Sequence, residues 1–481
     1  MYTQKRKGLL LAAAILLSGG LWAQTPHERI MKELNQKEMM YGQKAKTIWN
    51  YAEVGYQEEK SSALLQELLS KEGFTIQVGV ADIPTAFVAT YGSGQPVIGV
   101  LGEFDALPGL SQDSLPSRHV VQENGAGHAC GHHLFGVGSA AAVIAVKNWM
   151  VASKQKGTIR FYGTPAEEGG SGKVYMVRAG LFNDVDAVLH WHPADSNSAS
   201  SGSSLANISA KFRFKGIAAH AAAAPERGRS ALDGVEAMNY MVNMMREHVP
   251  SDARIHYIIT QGGKAPNVVP DFSEVYYYVR HPRRDVVQDM WARIVKASEG
   301  AALGTGTTVE HEIIGGVYEL LPLDALAKVM YKNLAEVGGV AYDAGEMQFA
   351  KQIGTTFGTV GGTPAPESAS TILPFEYERT GMGSTDVGDV SWTVPTVGLR
   401  TATWVPGTAA HSWQAVATGG TSIGRKGMMV AAKTIALTAV DLFQNPKTLS
   451  DAKAEFKQKR GAEFEYKALL GNRPPALDYR K

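Results

Sequence analysis

The chain is poor in cysteine: its 481 residues contain one, Cys130. A single thiol forms no internal disulfide, so a disulfide-stapled fold is excluded. Net charge is also lacking, since 47 basic residues against 46 acidic ones leave +1. That balance gives no reason to expect nucleic acid or an anionic membrane surface as a partner. No internal repeat occurs at solenoid spacing. Beyond the first residues, no run reads as long and apolar enough to cross a bilayer.

What is present begins with Lys5-Arg6-Lys7, a short apolar run from Leu9 to Leu17, and Leu21-Trp22-Ala23. This pattern predicts a secretory signal peptide over residues 1–23, hence an exported protein, periplasmic or secreted, with no stable membrane span after cleavage. The remaining length exceeds one ordinary domain and predicts two. Cys130 lies in His128-Ala129-Cys130-Gly131-His132-His133. A thiolate and imidazoles this close suit a transition metal, and ligation would account for a lone thiol in an oxidising compartment. Taken alone, Cys130 also reads as a small buried hydrophobe.

Amphipathic spacing predicts a helix over 57–74, with Gly73 ending it. Apolar runs at 96–101, 158–162, 187–189 and 394–399 read as buried strands, and 140–149 reads as a helix. Alternating strands and helices predict an α/β fold, a mixed sheet flanked by helices, with ligands bound beyond the strand ends. Acidic and imidazole side chains collect after these strands: Glu103 and Asp105, Glu167-Glu168, His190 and His192, and His411. The adjacent glutamates offer a division of labour in which one carboxylate holds metal and the other takes a proton from water. In an extended segment they would point in opposite directions. His192 is the better ligand candidate of its pair, being further past the strand end, and His411 completes a set from four distant segments.

The Ser-rich stretch 196–204 reads as a domain boundary. After it, a smaller α+β block spans 205–320, inserted between the two parts of the larger domain, 24–204 and 321–481. The methionines between 238 and 245 read as core filling. Arg280 reads equally as a guanidinium fork suited to a substrate carboxylate and as a surface arginine near Arg283 and Arg284. The tail with Arg473-Pro474-Pro475 carries no assignable chemistry in the sequence.

Several stretches together resemble the M20 family of metal-dependent peptidases and amidohydrolases, in the branch holding aminobenzoyl-glutamate and auxin-conjugate hydrolases. They are residues 48–56, 102–109, 127–133, 165–170, 216–225, 262–271 and 383–389, in order along the chain. The resemblance implies a two-metal site, with Zn²⁺ or Mn²⁺ held by Cys130, His132, Glu168, His192 and His411. It implies Glu167 as general base, Asp105 as a supporting acid, and the inserted block as a lid or dimerisation domain. His220 of that block matches an oxyanion-stabilising histidine, and Asn267 a substrate contact. The implied reaction is hydrolysis of an N-acyl amino acid, of aminobenzoyl-glutamate type, by metal-activated water. The alternatives are a metallo-dipeptidase and a non-catalytic partner in a hetero-oligomer. A homodimer is the implied assembly, with a hetero-oligomer as the alternative. His133 departs from the pattern, standing where many relatives carry Asp or Asn.

Overall fold

The computed structural model describes residues 24–358, 362–377 and 379–480, so the expected signal peptide, residues 1–23, lies outside the described residues. The strands are β1 (Thr75–Val78), β2 (Phe87–Ser93), β3 (Val97–Gly102), β4 (Gly157–Gly163), β5 (Ala187–Ala194), β6 (Gly202–Ser203) and β7 (Ala206–Lys215). They continue with β8 (Arg254–Gln261), β9 (Phe272–His281), β10 (Thr308–Val317), β11 (Arg379–Thr380) and β12 (Thr396–Ala402).

The larger sheet runs β1-β2-β4-β3-β5-β12. Its last four strands are mutually parallel, and β1 and β2 form an antiparallel edge. β3 is buried along its whole length, as its unbroken apolar sequence requires of a strand covered on both faces. The helix His132–Ser153 packs against β3, β4 and β5 and against the helix Ser422–Gln444. Both helices are long and apolar enough to span a bilayer, contrary to the sequence expectation, but 83% of each apolar window is buried inside the protein. A helix that is apolar all round belongs in such a core.

The smaller sheet, β10-β7-β9-β8, is antiparallel throughout. Phe212, Phe214, Val275, Tyr277 and Val279 are buried, and the helices Ala231–Met245 and Arg284–Thr305 pack on this sheet. Strand alternation places Tyr276, Tyr278 and Arg280 on the opposite face of β9. The methionine group is split: Met238 and Met245 are buried, whereas Met241 and Met244 are exposed.

Two local readings change, and a third segment gains detail. β5 does not stop before His190 but continues through His192 to Ala194, because β12 pairs with it along that length. Pro395 lies just before β12, where its carbonyl accepts from the Val188 amide, so the missing donor costs the ladder nothing. The boundary segment is pinned by buried Asn197, which donates to the carbonyls of Ala369 (2.7 Å) and Thr371 (3.0 Å) and accepts from the Ala402 amide (2.9 Å).

Candidate metal centre

Cys130 and His132 flank Gly131, whose φ of 77° opens the helix His132–Ser153. A side chain at Gly131 would strike Pro193 at 2.6 Å, so glycine is required on both counts. The turn brings Cys130 and His132 to the end of β5, where Cys130 Sγ lies 3.3 Å from His192 Nε2. The two histidines are each oriented through Nδ1. His192 Nδ1 is 2.7 Å from the Pro193 carbonyl, which only accepts, so Nδ1 carries the proton and Nε2 presents its lone pair. His132 Nδ1 is 2.8 Å from Asp105 Oδ1, and, against the pull of burial, Cys130 and the carboxylates of Asp105 and Glu103 hold its pKa well above the usual imidazole range, so Nε2 ligates on giving up its proton. His411 enters on a left-handed residue (φ 59°) whose amide donates to the Ala129 carbonyl, and its Nε2 lies 3.2 Å from Glu168 Oε1.

The adjacent glutamates do diverge, by a different route from strand alternation. They sit in an irregular turn, Glu167–Gly170, with Ala166 (φ 56°), Gly169 (φ 90°) and Ser171 (φ 59°) all left-handed. Glu167 joins Glu103 and His132, while Glu168 joins Cys130 and His411, with the donor atoms of each set within 4.8 Å of one another. Cys130, His132 and His192 make a third such set. Cys130 is thus shared between two of the three.

Glu103 has no role in the sequence-based assignment, although it stands in the motif Gly102-Glu103-Phe104-Asp105. Its Oε2 is 3.0 Å from His132 Nε2, and its Oε1 is 2.7 Å from Lys173 Nζ. Lys173 also meets Asp386 Oδ1 at 2.7 Å, and all three side chains are buried. Only its spacing of two from Asp105 on an extended end, which puts both on one side, could have signalled Glu103.

Asp105 does two tasks. Its Oδ1 holds His132, and its Oδ2 accepts from the Glu168 amide at 2.9 Å. The stretch 48–56 supports the same loop, since the Ala106 amide donates to the Glu53 carbonyl. Buried Glu58 accepts from the Ala166 amide at 2.8 Å. Burial, with Asp105 adding, pushes the Glu58 carboxyl up to about 8.

The cluster is rich in buried acid. Burial, then the carboxylates of Glu103 and Glu168, hold Glu167 well above the usual carboxyl range. Burial and then Glu168 push the Cys130 thiol up. Burial, then the Arg400 charge, keeps His192 neutral, the form that ligates. Glu103 Oε2, His132 Nε2 and Glu168 Oε1 are buried without a well-directed hydrogen bond, although Glu103 Oε2 faces His132 Nε2 at 3.0 Å and Glu168 Oε1 faces His411 Nε2 at 3.2 Å. Imidazole and carboxylate atoms left this poorly satisfied beside a thiol are what divalent cations engage, so this donor set fits metal.

Other expected residues stand elsewhere. His220 and Asn267 lie together in the inserted block, where the Ala221 amide donates to the Asn267 carbonyl and His220 bridges to Val268. Among the described residues neither makes a hydrogen bond or ion pair with the cluster. Arg280, on β9, stacks its guanidinium 5.1 Å from the centre of the Tyr278 ring. His133 points away from the donor set, its Nε2 donating to the Gly419 carbonyl at 3.0 Å and its ring 4.8 Å from that of His128. Burial, then His128, keeps it neutral, so it ties the first turn of its helix to the end of the helix Trp413–Gly419.

The family model described as peptidase family M20/M25/M40 matches residues 99–371, a span that includes every site residue expected from the sequence except His411. The chain is 44% identical over 440 residues to one subunit of the p-aminobenzoyl-glutamate hydrolase of Escherichia coli (strain K12), covering 86% of this chain and 91% of that protein. It is 28% identical over 446 residues to the Xaa-Arg dipeptidase of Mus musculus, covering 90% and 92%. The crystal structure of an aminobenzoyl-glutamate utilization protein from Klebsiella pneumoniae has the same fold, with a TM-score of 0.60 at 19% identity over 87% of this chain and 99% of that one.

Proposed function

Because the chain belongs to peptidase family M20/M25/M40, we propose that it is an exported metal-dependent amidohydrolase acting on an N-acyl amino acid of p-aminobenzoyl-glutamate type. The observation that carries this is the meeting of Cys130, His132, Glu168, His192 and His411 beside a second, unspent carboxylate, Glu167. Those five residues would hold two divalent ions, Zn²⁺ or Mn²⁺, which when bound supply Lewis acidity toward water and the amide carbonyl.

Glu167 accepts the proton of the attacking water and delivers it to the leaving nitrogen. Asp105 keeps His132 in its ligating tautomer and holds the Glu168 backbone. His220 Nδ1 accepts from the amides of Ala222 (3.2 Å) and Ala223 (3.1 Å), so its Nε2 carries a proton. That donor suits a developing oxyanion when the inserted block, as lid or dimerisation domain, faces the site of its own or a partner chain. Asn267 and Arg280 supply polar and cationic contacts for the amino-acid half and its carboxylate. The Escherichia coli relative is one subunit of its hydrolase, which supports a hetero-oligomer as an alternative to the homodimer.

A metallo-dipeptidase is the second reading, favoured by the likeness to the Xaa-Arg dipeptidase along nearly the full chain. The test is chelator-stripped protein, reloaded with Zn²⁺ or Mn²⁺ and given p-aminobenzoyl-glutamate, other N-acyl amino acids and Xaa-Arg dipeptides. Metal-dependent release of glutamate is the expected result. Cleavage of the dipeptides alone would replace the first reading with the second, and no cleavage of any would remove both. Export is checked by the mass of the mature protein, expected to begin at Gln24.

A further inference from the structure

The segment that follows the helix Pro446–Arg460 does not trail into solvent. It crosses from the inserted block to the turn that carries both glutamates. Arg473 donates to the Ile313 carbonyl and reaches Glu312 Oε1 at 3.0 Å, both on β10. Tyr318, just beyond β10, donates to the Lys467 carbonyl at 2.6 Å. On the catalytic side Arg178 donates to the Arg473 carbonyl (2.8 Å), and Gln57 to that of Leu477 (2.9 Å). The segment ends over the turn, where Tyr479 Oη (2.9 Å) and Arg480 Nη2 (2.8 Å) both donate to the Glu168 carbonyl.

These two donors meet a backbone that needs holding. Left-handed Ala166 and Ser171 are strained, and such conformations persist only where neighbours over-determine them. Glu168 itself has ψ 68°, which breaks the helical turn. Its amide is fixed by Asp105 on the inner side and its carbonyl by Tyr479 and Arg480 on the outer. The Tyr479 ring also meets Tyr56 edge-on, centroids 5.6 Å apart, and Tyr56 donates to the Gly170 carbonyl at 2.7 Å. Gly55 leaves the space for this, since a side chain there would collide with the Tyr479 hydroxyl and with Ala166.

We infer that residues 462–480 form a strap that holds the Glu167–Glu168 turn in working geometry and ties it to the inserted block, with Tyr479 and Arg480 as its positioning residues. The inference rests on the proposed roles of Glu167 and Glu168. A shift of about 1 Å in such groups costs on the order of 100-fold in rate, so a bond on the backbone behind them matters to turnover.

The test is hydrogen exchange on the full-length, metal-free chain carrying Tyr479→Phe with Arg480→Met. The amides of Glu168 and Gly170 are expected to exchange about tenfold faster or more, while the helix Ser422–Gln444 is unchanged. Unaltered exchange across 164–172 overturns the inference, as does acceleration spread evenly over the chain, which marks a merely stabilising tail. If the double variant fails to fold, Tyr479→Phe alone keeps the ring against Tyr56 and removes only the hydroxyl. It should still accelerate the turn by about threefold, and no acceleration overturns the inference. Where the parent chain hydrolyses an amide, the double variant should lose about tenfold in kcat with KM within about twofold, and Arg480→Lys should restore part of the loss. A parent chain without amidohydrolase activity would defeat the proposed function and leave the exchange comparison intact.

Discussion

Replacing Asp105 by asparagine changes one atom type and should disable the metal centre. The carboxylate accepts two donors at once, His132 Nδ1–H at 2.8 Å and the Glu168 amide at 2.9 Å, and it is buried. An asparagine has one acceptor oxygen and an NH₂ group. If the oxygen stays with His132, the NH₂ faces the Glu168 N–H and a buried donor goes unmatched. If the oxygen turns to Glu168, the NH₂ can satisfy His132 only by donating to Nδ1. That moves the ring proton to Nε2, the atom beside Glu103 that is needed as a ligand. In either case the acceptor is no longer charged, and a hydrogen bond to a charged group is worth about 1.5–3 kcal/mol. Metal affinity should therefore fall by about 10- to 100-fold, in line with the loss of other partners that orient ligating histidines. Titration of the stripped protein with Zn²⁺, followed by calorimetry, reads this directly. Wild-type affinity and stoichiometry in Asp105→Asn would refute the tautomer argument.

Glu167→Gln should bind metal as the parent does and lose about 10²–10⁴ in kcat, as removal of a general base does; normal turnover would take that role from it. His220→Ala should lower kcat by about 10²–10³ with metal content and melting temperature unchanged, measured by metal analysis and steady-state kinetics. Lys173→Met strands the buried carboxylates of Glu103 and Asp386, so urea unfolding should show a loss of about 3–5 kcal/mol. A change near zero would mean that water or protonation takes the place of the ammonium.

The fold class was legible because its signals are local. Unbroken apolar runs mark buried parallel strands, and the runs at 96–101 and 158–162 fall within one residue of β3 and β4 at each end. Where a strand stops is not local. β5 outruns its apolar core to include His190 and His192 because β12 is there to pair with it. The helix His132–Ser153 is longer than its predicted stretch of 140–149 for a related reason: its first turn is set by Gly131 and the His133–Gly419 bond.

The chemical identities were fixed by the sequence alone: one thiol, a histidine two residues on, two adjacent carboxylates, and histidines at 192 and 411. Residue type determines which atoms can ligate or take a proton, and no folding is needed to know it. Pairing and direction came only from the tertiary structure. Cys130 meets His192 across 62 residues, and His411 meets Glu168 across 243, because parallel strands bring their ends to one edge. The same applies to Glu103, which looked like one acid among many until Lys173 and His132 closed on it. It applies most to Tyr479 and Arg480, 311 and 312 residues from the carbonyl they hold. A tyrosine and an arginine in a polar segment carry no pattern in sequence. Their meaning comes from a contact between distant segments, which the packing of the whole chain decides.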